Sequence, residues 1–233
     1  MIVNGTDMTK KYGKSVMWLK QMIQPRTIVT FVNWIDNVCD PQKYRDNSYR
    51  EFDIYIELLI IGENASEYEL VRSNLLQDLD SGRIHLDGME FSHDFCMKSE
   101  NITQLNETKC RYEITLTGFN KLGEQQNIRF TGTTYQFYVS GTENTPAILT
   151  LSSNIGLNSL TVEGLTEESI TINQVQKDSV IVIDGENCMI TENGENIFKK
   201  TDLWEFPKIS PGTATITLSS ECTAQLTYYP RYK

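Results

Sequence analysis

The feature that most constrains the fold is a succession of short alternating segments that fills the second half of the chain. From residue 135 onward they read YQFYVSG, AILTLSS, SLTVEGL, SITINQV, VIVIDG, CMITENG, TATITLS and AQLTYY. Alternation of apolar and polar residues puts successive side chains on opposite faces of a strand. Turn residues separate the segments at intervals of roughly ten residues, which is the spacing of a β-sandwich. The second half is therefore predicted to be sheet throughout, with no reactive centre.

Three dipeptides in this half mark tight turns: Asp184-Gly185, Asn193-Gly194 and Pro211-Gly212. Asp-Gly and Asn-Gly readily take positive φ, so each is predicted to fold one strand back on the next. After Pro211-Gly212, residues 213–219 alternate Ala, Ile and Leu with Thr and Ser, a pattern typical of a half-buried antiparallel strand.

The first half is predicted to be a separate β domain, residues 1–133, with the second domain at 134–233. A short strand at 1–3 precedes a turn at Asn4-Gly5 and a loop around Tyr12-Gly13. A strand at 27–34 and a long polar loop at 33–47 follow. Later strands are predicted at 51–61, 83–86, 90–97 and 111–118.

One helix is predicted in this first domain, near residues 66–80. Ser66 and Glu69 have the spacing of a capping box, and Asp80-Ser-Gly82 offers a glycine C-cap. The apolar residues Leu70, Val71, Leu75, Leu76 and Leu79 recur near the helical period, and we interpret them as a core-facing stripe.

Composition narrows the function classes. Hydrophobic residues make up 39% of the chain, which is typical of a globular protein. The net charge is −10, with 15 basic against 19 acidic residues in 1–132 and 6 against 12 in 133–233. Nucleic-acid binding depends on clustered Lys and Arg, so it is not expected. Neither a signal peptide nor a membrane span is predicted, and five Cys without a CxxC pair indicate free thiols in a reducing compartment.

Five titratable residues form the densest candidate site: His85, Asp87, Glu90, His93 and Asp94. Imidazoles and carboxylates can hold a divalent cation, but this spacing matches no zinc motif, and Asp87-Gly88 is typical of a hairpin turn. There is also no nucleophile elbow, Walker A loop or dinucleotide fingerprint. The sequence therefore predicts no enzyme activity, no cofactor and no metal.

Two features leave alternatives open. Glu167-Glu168 and the acidic residues around Glu192 and Glu195 favour solvated turns, although an acidic pair on a sandwich can also hydrolyse sugars. Trp204, followed by Glu205, is either a sugar-stacking platform or a core tryptophan. These two residues are the candidate ligand contacts.

Several stretches resemble the distal tail (Dit) proteins of long-tailed, non-contractile bacteriophages. The strand with Asn4-Gly5 and the Pro25-Arg26 pair is similar to the family's N-terminal entry, and RDNSYREFDIYIELLIIG with the following helix is similar to its ring-forming core. The most specific likeness is VIVIDGENCMITENGENIF, followed by Phe-Pro-x-Ile-x-Pro-Gly and a terminal Tyr-Tyr-Pro-Arg-Tyr.

The resemblance implies a mainly-β protein: an N-terminal ring-forming domain and a C-terminal galectin-like β-sandwich, whose last strand returns to the first domain or closes the sandwich. It implies a homo-hexameric ring at the phage tail tip that joins the major tail tube protein to the tail-associated hub protein. Receptor-binding or baseplate components attach to the sandwich, and DNA passes through the lumen without specific binding. The location would be the virion, after assembly in the bacterial host cytoplasm. An acidic lumen would repel phosphates, which is a use for the negative charge.

One departure from sugar-binding galectins bears on the function. Those proteins use a His-x-Asn-x-Arg strand, but both His residues here lie in the first domain, and Arg231 is the single Arg of residues 134–233. The sandwich is therefore expected to hold protein rather than sugar. A carbohydrate-binding module that acts through the C-terminal sandwich is the alternative, and a hydrolase is a third.

Overall fold

The structure is a computed structural model that describes residues 1–25 and 51–233 and, between them, only the backbone of four two-residue strands. The predicted strand at 27–34 and loop at 33–47 therefore fall largely outside the described residues. The chain divides into two compact units, Met1–Lys121 and Leu122–Lys233. The described part contains no helix long and apolar enough to cross a membrane.

The first unit is built on one sheet with the strand order β2-β1-β9-β10-β11-β8-β3. Its helices are α1 (Met8–Tyr12) and α2 (Ala65–Asp78). Its strands are β1 (Ile2–Val3), β2 (Thr6–Asp7), β3 (Val16–Ile23), β4 (Ile28–Val29), β5 (Val32–Asn33), β6 (Gln42–Lys43), β7 (Ser48–Tyr49), β8 (Phe52–Ile61), β9 (Ser81–His85), β10 (Ser92–Asn106) and β11 (Lys109–Leu122). The pairs β4–β7 and β5–β6 form separate two-stranded sheets.

The core of this unit follows from strict alternation along β8, in which every second residue is buried. β11 pairs with β8 in a register that sets Ile114 opposite Ile56 and Leu116 opposite Ile54. Helix α2 contributes Tyr68 and Leu75 to the same apolar cluster, and its C-cap residue Leu79 joins them. The remaining helix residues are more exposed, and the prediction that Leu70 faces the core is wrong, since 60% of it is exposed.

The predicted caps of the long helix are displaced. Asn64, rather than Ser66, is the N-cap, because its side-chain oxygen accepts a hydrogen bond from Glu67 N at 3.0 Å. Glu67 in turn accepts from Glu63 N at 2.8 Å. Gly82 is not a C-cap but lies within β9 at φ 137°, where a Cβ would stand 2.0 Å from Asn4 Oδ1.

The sequence prediction missed two elements near the N-terminus. Asp7 caps helix α1 by accepting hydrogen bonds from Thr9 N at 3.0 Å and Lys10 N at 3.2 Å. Strand β3 follows after a 3₁₀ turn, Gly13–Ser15. The predicted loop around Tyr12-Gly13 is therefore only the junction between these elements.

The second unit comprises β12 (Gln126–Val139), β13 (Thr145–Ser152), β14 (Leu157–Glu163), β15 (Ile170–Val175), β16 (Val180–Asp184), β17 (Met189–Glu192), β18 (Glu195–Asn196), β19 (Thr201–Asp202), β20 (Lys208–Ile209), β21 (Gly212–Tyr228) and β22 (Arg231–Tyr232). A 3₁₀ turn, Phe198–Lys200, lies between β18 and β19.

The long antiparallel pair of β12 and β21 joins the two halves of a ten-stranded sheet that folds over into two layers. In the first layer, residues 223–228 of β21 lie between β13 and the first half of β12, and β13 continues the layer to β16, β17 and β18. In the second layer, the other half of β12 pairs with residues 212–217 of β21, residues 217–218 of β21 pair with β14, and β14 continues the layer to β15 and β19. A register shift between Gly132 and Thr134 separates the two halves of β12, as β-bulges do where a strand changes layer. The inner faces of both layers share one apolar core.

The boundary between the units differs in position from the sequence estimate of 133/134. Residues 127–131 continue without interruption into the segment YQFYVSG as a single strand, β12, whose partner is β21. That pairing places β12 wholly in Leu122–Lys233. Residues 224–228 of the predicted last strand are the end of β21 in the same unit.

The Asn193-Gly194 turn is confirmed, with φ of 52° and 85°. Asp184-Gly185 also opens a hairpin, but its loop spans 185–188 and the positive φ falls on Cys188. Asp184 Oδ1 holds this loop by accepting from Glu186 N and Asn187 N at 2.8 and 2.9 Å. Gly185 is needed for space, since a Cβ there would lie 2.1 Å from Pro207 O.

Candidate assembly and attachment surfaces

The two histidines of the candidate metal cluster are engaged in structural contacts. His93 is buried, with Nδ1 3.2 Å from Asn120 O and its ring edge-on to Phe52 at 5.0 Å between centroids. His85 Nδ1 lies 3.3 Å from Ser92 Oγ, across the β9–β10 pair. These contacts account for both imidazoles as parts of the sheet.

The carboxylates of the same cluster are also separated. Asp94 accepts from Arg83 Nε at 3.0 Å and from Asn120 Nδ2 at 2.8 Å, which links β9, β10 and β11. Asp87 lies 2.5 Å from the amino nitrogen of Met1. Within residues 1–25 and 51–233 no group of three or more His, Cys, Asp or Glu side chains could hold a metal ion.

Glu192 is a buried carboxylate, and its assignment to a solvated turn from the sequence is wrong. It shares the inward face of β17 with Ile190 and is 6% exposed. Its Oε1 accepts from Gln176 N at 2.9 Å and Ser179 Oγ at 2.8 Å, and Lys200 Nζ is 3.7 Å from Oε2. Burial raises the pKa of the Glu192 carboxyl, but these donors and the lysine lower that pKa by more, so the net value lies below the ordinary one.

This arrangement identifies Glu192 as a structural anion rather than a reactive one. Its partner on the next strand, Glu195, is exposed, and so are Glu167 and Glu168, as predicted for solvated turns. The sequence does contain the information that Glu192 is buried. Residues two apart on a strand lie on the same face, and Glu192 is two residues after the buried Ile190.

Trp204 is 77% exposed, so the interpretation of this residue as a core tryptophan is wrong. Two further aromatic rings are close to it in sequence: Phe206, in the same loop between β19 and β20, and the half-exposed Phe198, in the 3₁₀ turn before β19. These two rings are stacked, with centroids 6.5 Å apart. We call Phe198, Trp204 and Phe206 the aromatic patch. Exposed aromatic side chains are enriched at protein interfaces and sugar platforms, and they are disfavoured on free surfaces.

Glu205 lines a different feature, a polar groove of about 480 Å³. The groove is lined by residues of the second unit that precede β13, follow β14, and run from just before β20 into the start of β21. They are Asn144, Gly164, Leu165, Thr166, Glu167, Glu205, Lys208, Ile209, Ser210, Pro211, Thr213, Ala214 and Thr215. Trp204 does not line it. The two predicted ligand contacts therefore stand beside separate features, the aromatic patch and the groove.

The sugar-binding strand of galectins has no counterpart in the second unit. This unit contains no histidine, and the new boundary adds Arg129 to Arg231. Arg129 Nε donates to Gln225 Oε1 at 3.0 Å across the β12–β21 pair. That arginine therefore braces the sheet.

Strand β3 carries three strongly exposed apolar side chains. Met17 is 50% exposed, Leu19 51% and Met22 40%. Among the described strands β3 is the last of the sheet, with β8 as its neighbour, and Leu19 is the extra residue where the β3–β8 register shifts. An apolar edge strand of this kind is a template for association with another chain. The sequence did not predict this strand, because apolar and polar residues alternate poorly along Val16–Ile23.

Two comparisons with known proteins bear on identity. Residues 140–232 match the family described as siphovirus-type tail component, C-terminal domain. The whole chain, 100% of it, superposes on 98% of the Dit protein of phage SPP1 with a TM-score of 0.70 at 8% identity. The resemblance to distal tail proteins is confirmed.

Further solved structures are similar to this chain in fold. Two structures of the phage P2 baseplate in its activated conformation, with Ca and with Sr, match at a TM-score of 0.65 and 11% identity. They cover 93% of this chain and 90% and 91% of theirs. No curated protein matches the chain. The predicted mainly-β fold with a C-terminal β-sandwich is thus confirmed, and at these identities the structural likeness speaks for the fold.

Proposed function

We propose that the chain is a non-enzymatic structural protein of a phage tail tip, a baseplate hub. One observation carries the proposal: the Dit fold extends over the entire chain, while the second unit matches the siphovirus tail component domain by sequence. The matched SPP1 protein is described as a hub of the adsorption apparatus, and two further matched structures are of the phage P2 baseplate.

In this proposal the first unit forms a homo-hexameric ring that joins the tail tube protein to the tail-associated hub protein. A cyclic ring needs a heterologous interface, in which one surface of each subunit contacts a different surface of the next. The apolar edge strand β3, with Met17, Leu19 and Met22, has the character of one such surface. The ring is a virion component assembled in the host cytoplasm, and DNA passes through it without specific binding because the chain is acidic.

The second unit attaches receptor-binding or baseplate proteins. The aromatic patch supports this role, because large, rigid aromatic side chains supply most of the binding energy at the centres of protein interfaces.

The ring is tested by mass photometry of the full chain at physiological salt. We expect the wild type to be a hexamer and the double variant Met17→Asp, Leu19→Asp to be a monomer, since two charges would be buried unpaired at the interface. The matched control is Leu70→Asp, because Leu70 is 60% exposed on α2 of the same unit. That control should remain hexameric.

Circular-dichroism melting of all three proteins separates a lost interface from a lost fold. A wild type that is monomeric at every concentration would refute the ring, and a hexameric double variant would remove β3 from the interface.

Carbohydrate binding by the second unit is the alternative function, favoured by the exposure of Trp204 and by the polar groove beside Glu205. A glycan array with wild type, Trp204→Ala and the matched aromatic control Phe198→Ala addresses it. A sugar signal lost with Trp204→Ala and kept with Phe198→Ala supports the alternative, and no signal from the wild type eliminates it.

A further inference from the structure

The second layer of the second unit contains a gap between two strands that are neighbours elsewhere in the layer. β14 pairs with residues 217–218 of β21 through its last two residues, 162–163. The strand then ends, and the chain turns at Gly164, whose φ is 89°. Residues 213–215 of β21 therefore have β12 on one side and no strand of Leu122–Lys233 on the other.

This gap coincides with the polar groove of about 480 Å³. Three runs of the chain line the groove: 213–215, 164–167 and 208–211. Lys208 N donates to Leu165 O at 2.9 Å, which joins the last two runs into one wall. The groove is thus bounded by the edge of β21 and by this wall. Its volume is in the range of ligand sites, about 300 to 1,000 Å³.

The edge of β21 directs main-chain groups into the polar groove. A Cβ at Gly164 would lie 1.9 Å from Thr215 O, so the carbonyl of Thr215 faces Gly164 rather than β12. In an antiparallel pair, residues two apart direct their N–H and C=O groups to the same side. The N–H and C=O of Thr213 therefore also face the groove, where no strand of the second unit receives them.

The lining of the groove favours an extended peptide over a sugar. A peptide strand beside residues 213–215 can bond to their main-chain groups along the path that β14 leaves open. None of the residues that line the groove is aromatic, and Trp204 lies outside it. A stacking platform for a sugar ring is therefore missing from this site.

The two walls of the groove exclude the sheet edge of a second copy. A strand within a sheet lies about 4.7 to 4.9 Å from its own neighbour. That neighbour would meet the wall formed by 164–167 and 208–211. The occupant is therefore a segment that has no strand partners of its own, as in a linker or a terminal arm.

The charges of the groove select a basic occupant. Glu167, Glu205 and Lys208 line it. Within the part of the chain that the structure describes, neither carboxylate has a hydrogen bond or an ion pair. Two carboxylates against one ammonium leave the groove negative. A Lys or Arg of the occupant gains a partner there, whereas an acidic segment is repelled.

We propose that the polar groove binds an extended segment of a different tail protein, with at least one Lys or Arg, which adds as a strand beside residues 213–215. Main-chain hydrogen bonds to Thr213 supply binding energy, and Glu167 and Glu205 supply selectivity. This inference rests on the proposed function, because it names the chemistry of a partner that attaches to the second unit.

The inference is tested in assembled particles of the phage that encodes the chain. The photo-crosslinking residue p-benzoylphenylalanine replaces Ser210, which is exposed and lines the groove. In a matched control it replaces Thr223, which is exposed on β21 between Thr131 and Ser152, away from the groove. We expect mass spectrometry to find position 210 joined to a basic segment of a different tail protein, and position 223 to give no such product.

Thr213→Pro tests the main-chain bonds. It removes the N–H that faces the groove and leaves the N–H groups that pair with β12 in place. We expect the crosslink yield at position 210 to fall about tenfold. Thr213→Val is the matched control, because it keeps this N–H and replaces only the side-chain hydroxyl, so its yield should equal that of the wild type.

Glu167→Lys tests the charge of the groove. It should lower the same yield about tenfold, because the basic occupant then meets a like charge. The neighbouring Glu168→Lys is the matched control, since Glu168 is exposed but does not line the groove. Melting curves of all four variants separate a lost partner from a lost fold, and the two tests are independent of each other.

The outcomes are distinguishable. Absence of the chain from purified particles, seen by immunoblot, overturns both the proposed function and this inference. A chain that is present but gives no product at 210 above the 223 control overturns the inference alone. So does a product with another copy of this chain or with an acidic segment, or a yield that a folded Thr213→Pro or Glu167→Lys leaves unchanged. A glycan-array signal lost with Thr213→Val would identify the occupant as a sugar and also overturn it.

Discussion

The two units differ in the contacts that join several of their elements. In the first, polar side chains bridge elements that are distant in sequence. Asn4 Oδ1 accepts from Arg83 N at 2.8 Å, and Asp78 at the end of α2 binds Lys11 Nζ at 2.6 Å and Tyr12 OH at 2.5 Å. These contacts lie at or near the surface, where water can replace a lost partner.

In the second unit the corresponding junctions are close approaches of backbone to backbone. A Cβ at Gly164 would lie 1.9 Å from Thr215 O, and one at Gly185 would lie 2.1 Å from Pro207 O. The one buried carboxylate, Glu192, ties the turn at Gln176 and Ser179 to β17. An added Cβ would overlap backbone atoms at the two glycine junctions, so small substitutions there should cost more than the loss of a bridge in the first unit.

The largest effect is expected from Gly185→Ala. The added methyl group would meet Pro207 O at 2.1 Å and Ala147 O at 2.8 Å, so the backbone must move. We expect a loss of about 2 to 3 kcal/mol in the stability of the second unit. Native-state hydrogen exchange at the Leu149 amide on β13 measures the free energy of opening there.

Gly156→Ala is the matched control for this prediction. A Cβ at Gly156 would lie 3.6 Å from Val175 O and 3.7 Å from Lys177 N, which are ordinary contacts. It should change the opening free energy at Leu149 little, and neither variant should affect the Ile56 amide on β8 of the first unit. Equal costs for the two variants would contradict the packing argument.

Glu192→Gln should have the second-largest effect, about 1 to 2 kcal/mol at neutral pH, because a buried charge-assisted hydrogen-bond acceptor is lost. The pKa of Glu192 is lower in the folded state than its ordinary value of about 4.3. Its contribution to stability is therefore fully present above that ordinary value and is lost as pH falls through the folded pKa.

Denaturant unfolding between neutral pH and pH about 3 checks the sign. The wild type should lose stability over the acidic range more steeply than Glu192→Gln, and the two should converge at the acidic end. The exposed neighbour Glu195→Gln is the control and should follow the wild-type curve. Parallel curves for Glu192→Gln and wild type would mean that the carboxylate is not held as an anion.

The positions of many strands and their buried faces can be predicted from the sequence, because alternation decides which face of a strand is buried. The pattern located β8, β13 and β16 closely. The same alternation places Glu192 on the buried face of β17, two residues after Ile190, although its charge suggests exposure. Asn64 with Glu67 is likewise a helix start of the same form as the predicted Ser66 with Glu69, two residues earlier.

The remainder depends on contacts that a local pattern does not encode. Gly132 has the appearance of a strand end, yet a bulge keeps the backbone extended, so residues 127–131 and the predicted strand YQFYVSG belong to one strand, β12, and the boundary lies at 121/122. The edge position of β3 and the gap beside β21 follow from which distant strands pair, and pairing is set by the whole sheet. The family resemblance supplied the candidate function, but neither feature was visible without the fold.

The smallest effect is expected from Asp78→Asn in the first unit, and it tests the comparison from the other side. The substitution weakens the links to Lys11 and Tyr12, but Asp78 is in the last turn of α2, where a negative charge opposes the helix dipole. The two effects partly offset each other, so we expect a loss of about 0.5 kcal/mol at the Leu75 amide by hydrogen exchange. Glu69→Gln, which removes a single exposed pair with Arg72 at 3.6 Å on the same helix, should cost still less. A loss from Asp78→Asn as large as that from Gly185→Ala would show that surface bridges stabilise the first unit as strongly as backbone packing stabilises the second, and the distinction between the units would fail.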